Sequence, residues 1–328
     1  MLLTALENTL LDYTAYVSDE FLKEHGFQKG GFQGISTELR KNLEQRIKFS
    51  RTTGGSAANV CHGFVNLGMQ AAFIGSVGND ENGKFYGADL EKAGIAHYFH
   101  VKRGPNGVCM VLVTPDKERT MAVNMGKSSS LWPWNLHEAD IENSDFFHTT
   151  AYALDSMYLS VKRAMKIAKR HNVKISFDLA SAKSIQRHRK KIDYLLEKYV
   201  NIVFANEEEA AEYTGKSPRD SMFELSEKHI AVVKLGSKGA LVGGPVKMRN
   251  PKCKGSNFFR VAVPAYKVAE VKNTNGAGDA FAAGFLYGIA KDMNLYNAGR
   301  IGAYYAARVV EAEEAKLRYR ISNIEELI

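Results

Sequence analysis

The sequence predicts a layered α/β fold with a mostly parallel sheet. Three observations predict it: short apolar, β-branched runs recur along the chain, longer segments with helical periodicity separate them, and glycine-rich turns stand where a strand would pass into a helix. The runs are 71–74, 108–113, 173–177, 201–204 and 230–235, and their near-continuous apolar character fits strands covered on both faces. Helical spacing covers Ser56 to Leu67, Asn82 to Ala93, Asp155 to Arg170 and Gly278 to Ala290.

Two stretches interrupt this alternation. Tyr13 to about Gln45 is rich in Gly and polar residues, and His97 to about Met125 reads as a hairpin around Pro115-Asp116. Both are expected in an appended small β-sheet, a lid. The expected division is a large domain of 1–12, 46–96 and 126–328 and a lid of 13–45 and 97–125.

With 328 residues, 45% hydrophobic and 24% charged, the chain has the composition of a folded protein with a sizeable core, not of a disordered or coiled-coil one. No apolar run approaches the ~20 residues that span a bilayer, so no membrane partner is expected. Glu7 and Asp12 come early and no basic region precedes the first apolar residues, which argues against a secretory signal. Cys61, Cys109 and Cys253 are odd in number and far apart, so neither a disulfide framework nor a zinc cluster is expected, and a reducing cytoplasm is the simplest compartment. The net charge of +8 suits either nucleic acid or phosphorylated small molecules. The densest basic cluster, Arg187-His188-Arg189-Lys190-Lys191, has no interleaved aromatics and reads as a solvated helical face, so no nucleic-acid partner is expected.

The sharpest motif is Asn273-Thr274-Asn275-Gly276-Ala277-Gly278-Asp279-Ala280-Phe281, followed by the apolar, small-residue helix Ala282-Ala283-Gly284-Phe285. Glycines at a helix start let the backbone approach a ligand and aim unpaired N–H groups at it, and the helix dipole favours an anion there. Asp279 then reads either as a first-turn charge that steadies the helix or as a proton acceptor for an attacking hydroxyl. Two other nucleotide motifs are excluded. Gly126-Lys127-Ser128 lacks the earlier glycine of a P-loop, since that position is Met121, and the third glycine of a dinucleotide fingerprint is replaced by Phe281.

Thr53-Gly54-Gly55-Ser56-Ala57-Ala58-Asn59 is a diglycine turn into a helix. It reads as a capped turn or as a hinge carrying an amide suited to vicinal hydroxyls. Gly75-Ser76-Val77-Gly78-Asn79-Asp80 is a second turn of this kind.

These motifs, with Asn8-Thr9-Leu10-Leu11-Asp12, Asn206-Glu207-Glu208-Glu209 and Leu235-Gly236-Ser237-Lys238-Gly239, stand in the order found in the ribokinase or PfkB family of small-molecule kinases, which the chain resembles over nearly its whole length. Gly54-Gly55-Ser56, Asn8-x-x-Leu11-Asp12, Leu112-Val113-Thr114-Pro115-Asp116 with Arg119-Thr120-Met121, and Asn275 are most similar to adenosine-kinase-type members. The resemblance implies a ribokinase-like three-layer α/β/α domain with a mostly parallel central sheet and a small β-sheet lid. It implies transfer of the ATP γ-phosphate to a hydroxymethyl group, the 5′-hydroxyl in a nucleoside.

By the same resemblance Asp279 is the general base, and the backbone amides of Asn275, Gly276, Ala277 and Gly278 steady the transferring charge. Asp12 and Asn59 hold the ribose hydroxyls, with Asn8, Gly55 and Ser56 beside the sugar and Phe32 on the base side. Cys109 and Met110 are further candidates for the base wall. Asn206 and Gly236 lie near the nucleotide, and Glu209 acts on Mg2+ through water. Locally, Asn206 to Glu209 also reads as a capped helix start, Gly236 as a strand turn, and Phe32 as packing between lid and main domain. Asn273 stands where an Asp is usual and Glu314-Ala315 where Gly-Ala is common. Both fall in the region that binds a monovalent cation in related enzymes, which argues against potassium activation.

The leading expectation is therefore an ATP- and Mg2+-dependent nucleoside kinase. A sugar kinase of the ribokinase or fructokinase type is the alternative, and a kinase-like binding protein with weak turnover is a remote one. Oligomeric state is not legible in the sequence.

Overall fold

The computed structural model describes residues 1–245 and 258–324; Cys253 lies outside them. In chain order the elements are β1 (Leu2–Leu6), β2 (Leu11–Tyr16), α1 (Asp19–Glu24), β3 (Phe32–Gly34), α2 (Thr37–Arg46), β4 (Ser50–Thr53), α3 (Ser56–Asn66) and β5 (Gln70–Gly78). Next come α4 (Glu81–Lys92), β6 (Ala96–Lys102), β7 (Val108–Val113), β8 (Arg119–Asn124), β9 (Phe146–Thr150), α5 (Leu154–Arg170), β10 (Lys174–Asp178) and α6 (Ala182–Lys198). The chain continues through β11 (Ile202–Asn206), α7 (Glu207–Thr214), α8 (Pro218–Leu225), β12 (Ile230–Lys234), β13 (Ala240–Pro245), β14 (Phe258–Val263), α9 (Ala277–Ala290) and α10 (Leu295–Val310).

Nine strands form the large sheet in the order β14-β13-β12-β11-β10-β9-β1-β5-β6. Every pairing in it is parallel except β12 with β13 and β13 with β14. The pleat sends successive side chains to opposite faces. Phe73 joins the core under α3, α9 and α10, while its neighbour Ile74 joins the core under α5 and α6. Burial on both faces is why these strands read as continuous apolar runs. Helix α9 is buried along nearly all its length, and its small residues follow from close crossings. A Cβ on Gly284 would sit 2.8 Å from the Cα of Gly302 in α10.

The small sheet has the order β3-β8-β7-β2-β4. Its outward face supplies Tyr13, Ala15, Met110, Leu112 and Ala122 to the same core as Leu22 of α1 and Leu43 of α2. The architecture is thus a ribokinase-like α/β fold with a large mixed sheet and a second small sheet. The division of strands differs from the expected boundaries in two places. β6 pairs with β5 at the edge of the large sheet, so 96–102 does not belong to the small one. Leu11 and Asp12 with β4, by contrast, are small-sheet residues. Short polar strands carry too little apolar pattern to reveal their partner. Likewise α1 and α2 were not foreseen within 13–45.

The basic cluster lies on α6 with Arg187, Arg189 and Lys190 exposed, as expected, while His188 turns inward to Asp155 at 2.7 Å. Cys61 and Cys109 are buried free thiols. Among the described residues no helix is long and apolar enough to cross a membrane.

Candidate active site

The carboxyl ends of the parallel strands carry a row of polar groups on the α3 and α9 side. Leu3 and Ala5 of β1 face that side, so Glu7 one step further does too; by the same alternation Asp178 ends β10 and Lys234 ends β12 there. Lys234 Nζ donates to Asp178 Oδ2 at 2.8 Å. Burial alone would lower the Lys234 pKa, but the Asp178 and Glu209 carboxylates hold it above its ordinary value. The same ammonium lies 3.2 Å from where a Cβ on Gly278 would stand, beside the start of α9.

Helix α9 begins at Gly276 in the left-handed region, φ 73°. A Cβ there would meet the Ala315 carbonyl oxygen at 2.0 Å, so glycine is required for this loop to pass the 311–316 segment. Asp279 lies in the first turn of α9, and its two oxygens are held by the first turn of α3. Ser56 Oγ donates to Oδ1 at 2.6 Å and Asn59 Nδ2 donates to Oδ2 at 2.8 Å. Burial raises the Asp279 carboxyl above its ordinary pKa against the pull of these two hydrogen bonds, and the Asp178 charge adds to the rise. Asn59 Oδ1 is buried and has no partner among the described residues, an acceptor ready for a hydroxyl.

Asp12 projects from the inward face of the small sheet. Register places Cys109 beside it, with Thr14 beside Val111, Val111 beside Met121, and Met121 beside Phe32. Cys109, Val111, Val113 and Val123 form a separate apolar cluster on this face. Phe32 is 58% exposed at its edge, not packed between the sheets. Met110 is on the opposite face, fully buried, because the pleat alternates; it cannot wall the same site as Cys109.

The Asp12 carboxylate makes no hydrogen bond among the described residues. Burial pushes it up to about 6, with Lys316 opposing and Asp279 reinforcing. It sits directly over Gly54, where a Cβ would lie 2.5 Å from Oδ1. Lys316 is buried and donates to the carbonyl and hydroxyl oxygens of Thr53. Burial lowers its pKa to about 8, with Asp89 opposing.

The remaining expected residues fall in different places. Gly55 is the N-cap of α3. Asn8 is buried, its amide donating to the Tyr152 carbonyl at 3.3 Å and accepting from Ser156 at 3.2 Å. Gly236 lines a cavity of about 630 Å³ with Lys234, Thr274, Ala277, Gly278 and an apolar wall of Val268, Val271, Phe281 and Val310. Asn275 is exposed and donates its backbone N–H to Asn273 Oδ1 at 2.9 Å. Asn206 and Glu209 form a reciprocal capping box on α7 and do not line that cavity. Both Glu209 oxygens are engaged by Asn206 at 2.8 Å. Burial and the nearby Asp178 raise the Glu209 pKa, with Lys234 opposing. Asp178 and Glu209 are oxygen donors of the kind that suits magnesium, a hard cation that keeps its water and takes few protein ligands.

Five residues of the site were not foreseen: Glu7, Asp178, Lys234, Lys316 and Arg119. Arg119, noted only as part of a motif, crosses from the small sheet to donate to Asn273 Oδ1 at 3.1 Å.

Comparison with known proteins shows the family of the chain. The chain is 28% identical over 260 residues to an uncharacterized sugar kinase of Archaeoglobus fulgidus, covering 77% of this chain and 96% of that one. It is 32% identical over 253 residues to an ATP-dependent ribose-1-phosphate kinase of Halopiger xanaduensis, covering 74% and 75%. The solved adenosine kinase from Sinorhizobium meliloti superposes with a TM-score of 0.85 at 26% identity, over 99% of this chain and 98% of that one. The family pattern of the pfkB carbohydrate kinases matches residues 31–319. Kinases of this group use ATP and generally Mg2+. The chain belongs to the pfkB family of carbohydrate kinases and is a phosphotransferase acting on an alcohol group of a sugar or nucleoside.

Proposed function

We propose that the acceptor is a nucleoside, adenosine foremost, phosphorylated on its 5′-hydroxyl. The observation that carries this reading is the inward face of the small sheet. It combines one unpaired carboxylate, Asp12, with the apolar cluster of Cys109, Val111, Val113 and Val123 and the exposed ring of Phe32. A flat base needs such a wall, whereas a free sugar needs polar partners around its whole rim. Asp12 and Asn59 Oδ1 are the two acceptors available to adjacent ribose hydroxyls, and a deoxy analogue would leave a buried acceptor unpaired.

In this reading ATP occupies the cavity lined by Gly236 and Phe281, with its phosphates toward the N–H groups of Gly276, Ala277 and Gly278. Asp279 takes the proton of the attacking hydroxyl, and its raised pKa suits that task. The N-terminus of α9 and the Lys234 ammonium offset the charge of the transferring group. Magnesium, when bound through water near Glu209 and Asp178, would neutralise phosphate charge. The exchange is intracellular purine chemistry in a soluble enzyme, with no nucleic acid or membrane involved.

The test is an acceptor panel of adenosine, 2′-deoxyadenosine, ribose, fructose and ribose 1-phosphate, compared by kcat/KM with ATP. Adenosine should lead and ribose should be far poorer. A sugar or sugar phosphate equal to or better than every nucleoside overturns the acceptor assignment and leaves the kinase assignment standing.

A further inference from the structure

Helix α3 begins without a cap of its own. Its N-cap residue is Gly55, with φ 101°, and no side chain there accepts a hydrogen bond from the first turn. The backbone conformation disfavours any other residue, and a Cβ would also press the Asn8 carbonyl oxygen at 3.3 Å. Uncapped N–H groups in a buried first turn destabilise a helix start. The missing acceptor comes from another element: Glu7, just beyond β1, accepts the Ala57 N–H through Oε2 at 2.6 Å. Glu7 is 3% exposed and Ala57 is fully buried.

This cap holds more than a helix end. Ala57 lies between Ser56 and Asn59, the two residues whose side chains grip both oxygens of Asp279. We propose that Glu7 is a positioning residue for phosphoryl transfer: it supplies from the end of β1 the cap that Gly55 cannot, and so fixes the turn of α3 that orients Asp279. Glu7 itself is too buried to touch the acceptor. Burial raises its pKa to about 8, with the Ala57 N–H opposing and the Asp279 and Asp178 charges adding to the rise. A cap that works as a hydrogen-bond acceptor does not need the negative charge, so glutamine can replace it.

The inference rests on the reading of Asp279 as the proton acceptor, and the experiment separates the two. Glu7→Met keeps the volume and removes the acceptor atom; Glu7→Asp keeps the acid but is one carbon too short to reach Ala57; Glu7→Gln keeps both reach and acceptor. Steady-state kcat, acceptor KM and the affinity for a nonhydrolysable ATP analogue are measured for each, with Asp279→Asn alongside. Expected are kcat losses of about tenfold to a hundredfold for Met and Asp, the scale of a small misplacement of a reacting group. Analogue affinity should stay within about twofold, and Gln should restore kcat to within about threefold of the native enzyme. If Glu7→Met does not fold, Glu7→Asp carries the loss arm. Full kcat in the Met or Asp variant, or a Gln variant as slow as they are, overturns the proposal. A near-normal Asp279→Asn overturns instead the reading on which it stands.

Discussion

Lys234 Nζ and Asp178 Oδ2 stand 2.8 Å apart at the carboxyl edge of the large sheet, the ammonium facing Asp178, Glu209 and Asp279 together. One cation therefore offsets three carboxylates in a largely dry site. Removing it leaves Asp178, whose side chain is 6% exposed, without its counter-charge and held by the Ala180 N–H at 2.9 Å. Lys234→Met should lower the unfolding free energy by about 3 kcal/mol or more. Lys234→Met with Asp178→Asn should recover part of the loss. Urea denaturation of both variants checks this; an unchanged midpoint in the single variant contradicts it.

Asp279→Asn should cut turnover by roughly 10²-fold or more while leaving acceptor and ATP-analogue affinity largely intact. Ser56 and Asn59 can still bond the amide, so the fold of the site is preserved. Near-normal turnover would remove Asp279 from the proton-acceptor role.

Gly54→Ala places a methyl group against the Asp12 carboxylate, 2.5 Å from Oδ1 on the present backbone. The carboxylate must swing away. The expected result is an acceptor KM raised by about tenfold or more, the cost of misplacing a charged hydrogen-bond partner, with a much smaller change for ATP. Equal changes for both substrates would argue against Asp12 as the acceptor's partner.

Burial pushes the Glu7 carboxyl up to about 8 from its ordinary 4.5. The folded state therefore binds more protons than the unfolded state across that interval, so Glu7 stabilises at low pH and its contribution is lost as pH rises toward 8. The buried His62 and His148, held down to about 3 and about 4, chiefly by burial, act in the opposite direction but only below about 6.5. Lys316, lowered to about 8, acts in the opposite direction from about that pH upward, while Asp12 and Glu209, raised to about 6 and about 7, add to the decline below it; between pH 6.5 and 7.5 the native protein should lose thermal stability, and Glu7→Gln should reduce that decline. Parallel melting curves for the two proteins over this range would refute the assignment.

Much of the site was legible because its glycines and acids are spaced along the chain. Gly54-Gly55-Ser56, Asn59 and Asp279 are fixed to helix starts, and local spacing is enough to find them. Asp178 and Lys234 are single polar residues ending apolar strands; only the sheet order, which puts β11 alone between their strands, brings the lysine side chain within reach of the carboxylate. Lys316 is harder still, since its partner Thr53 is remote in sequence. The large sheet was legible for the opposite reason, its strands being apolar on both faces. β6 was misassigned because an edge strand with alternating polarity looks like a strand of the small sheet. β4, with the polar sequence Ser50-Arg51-Thr52-Thr53, carries no apolar signal at all.

The hold of Lys316 on Thr53 spans 263 positions of sequence. A ribosome builds the chain from the amino end, so β4 and the diglycine turn emerge long before the residue that anchors them. Leu317, which accepts from Asn66 of α3 at 2.8 Å, arrives at the same late moment. A nascent chain can thus pair most of its large sheet while β4 still lacks its fastening. The turn that carries Ser56 and Asn59, the two residues holding Asp279, is thus pinned at both of its flanks only after residues 316 and 317 have been made and threaded back onto it.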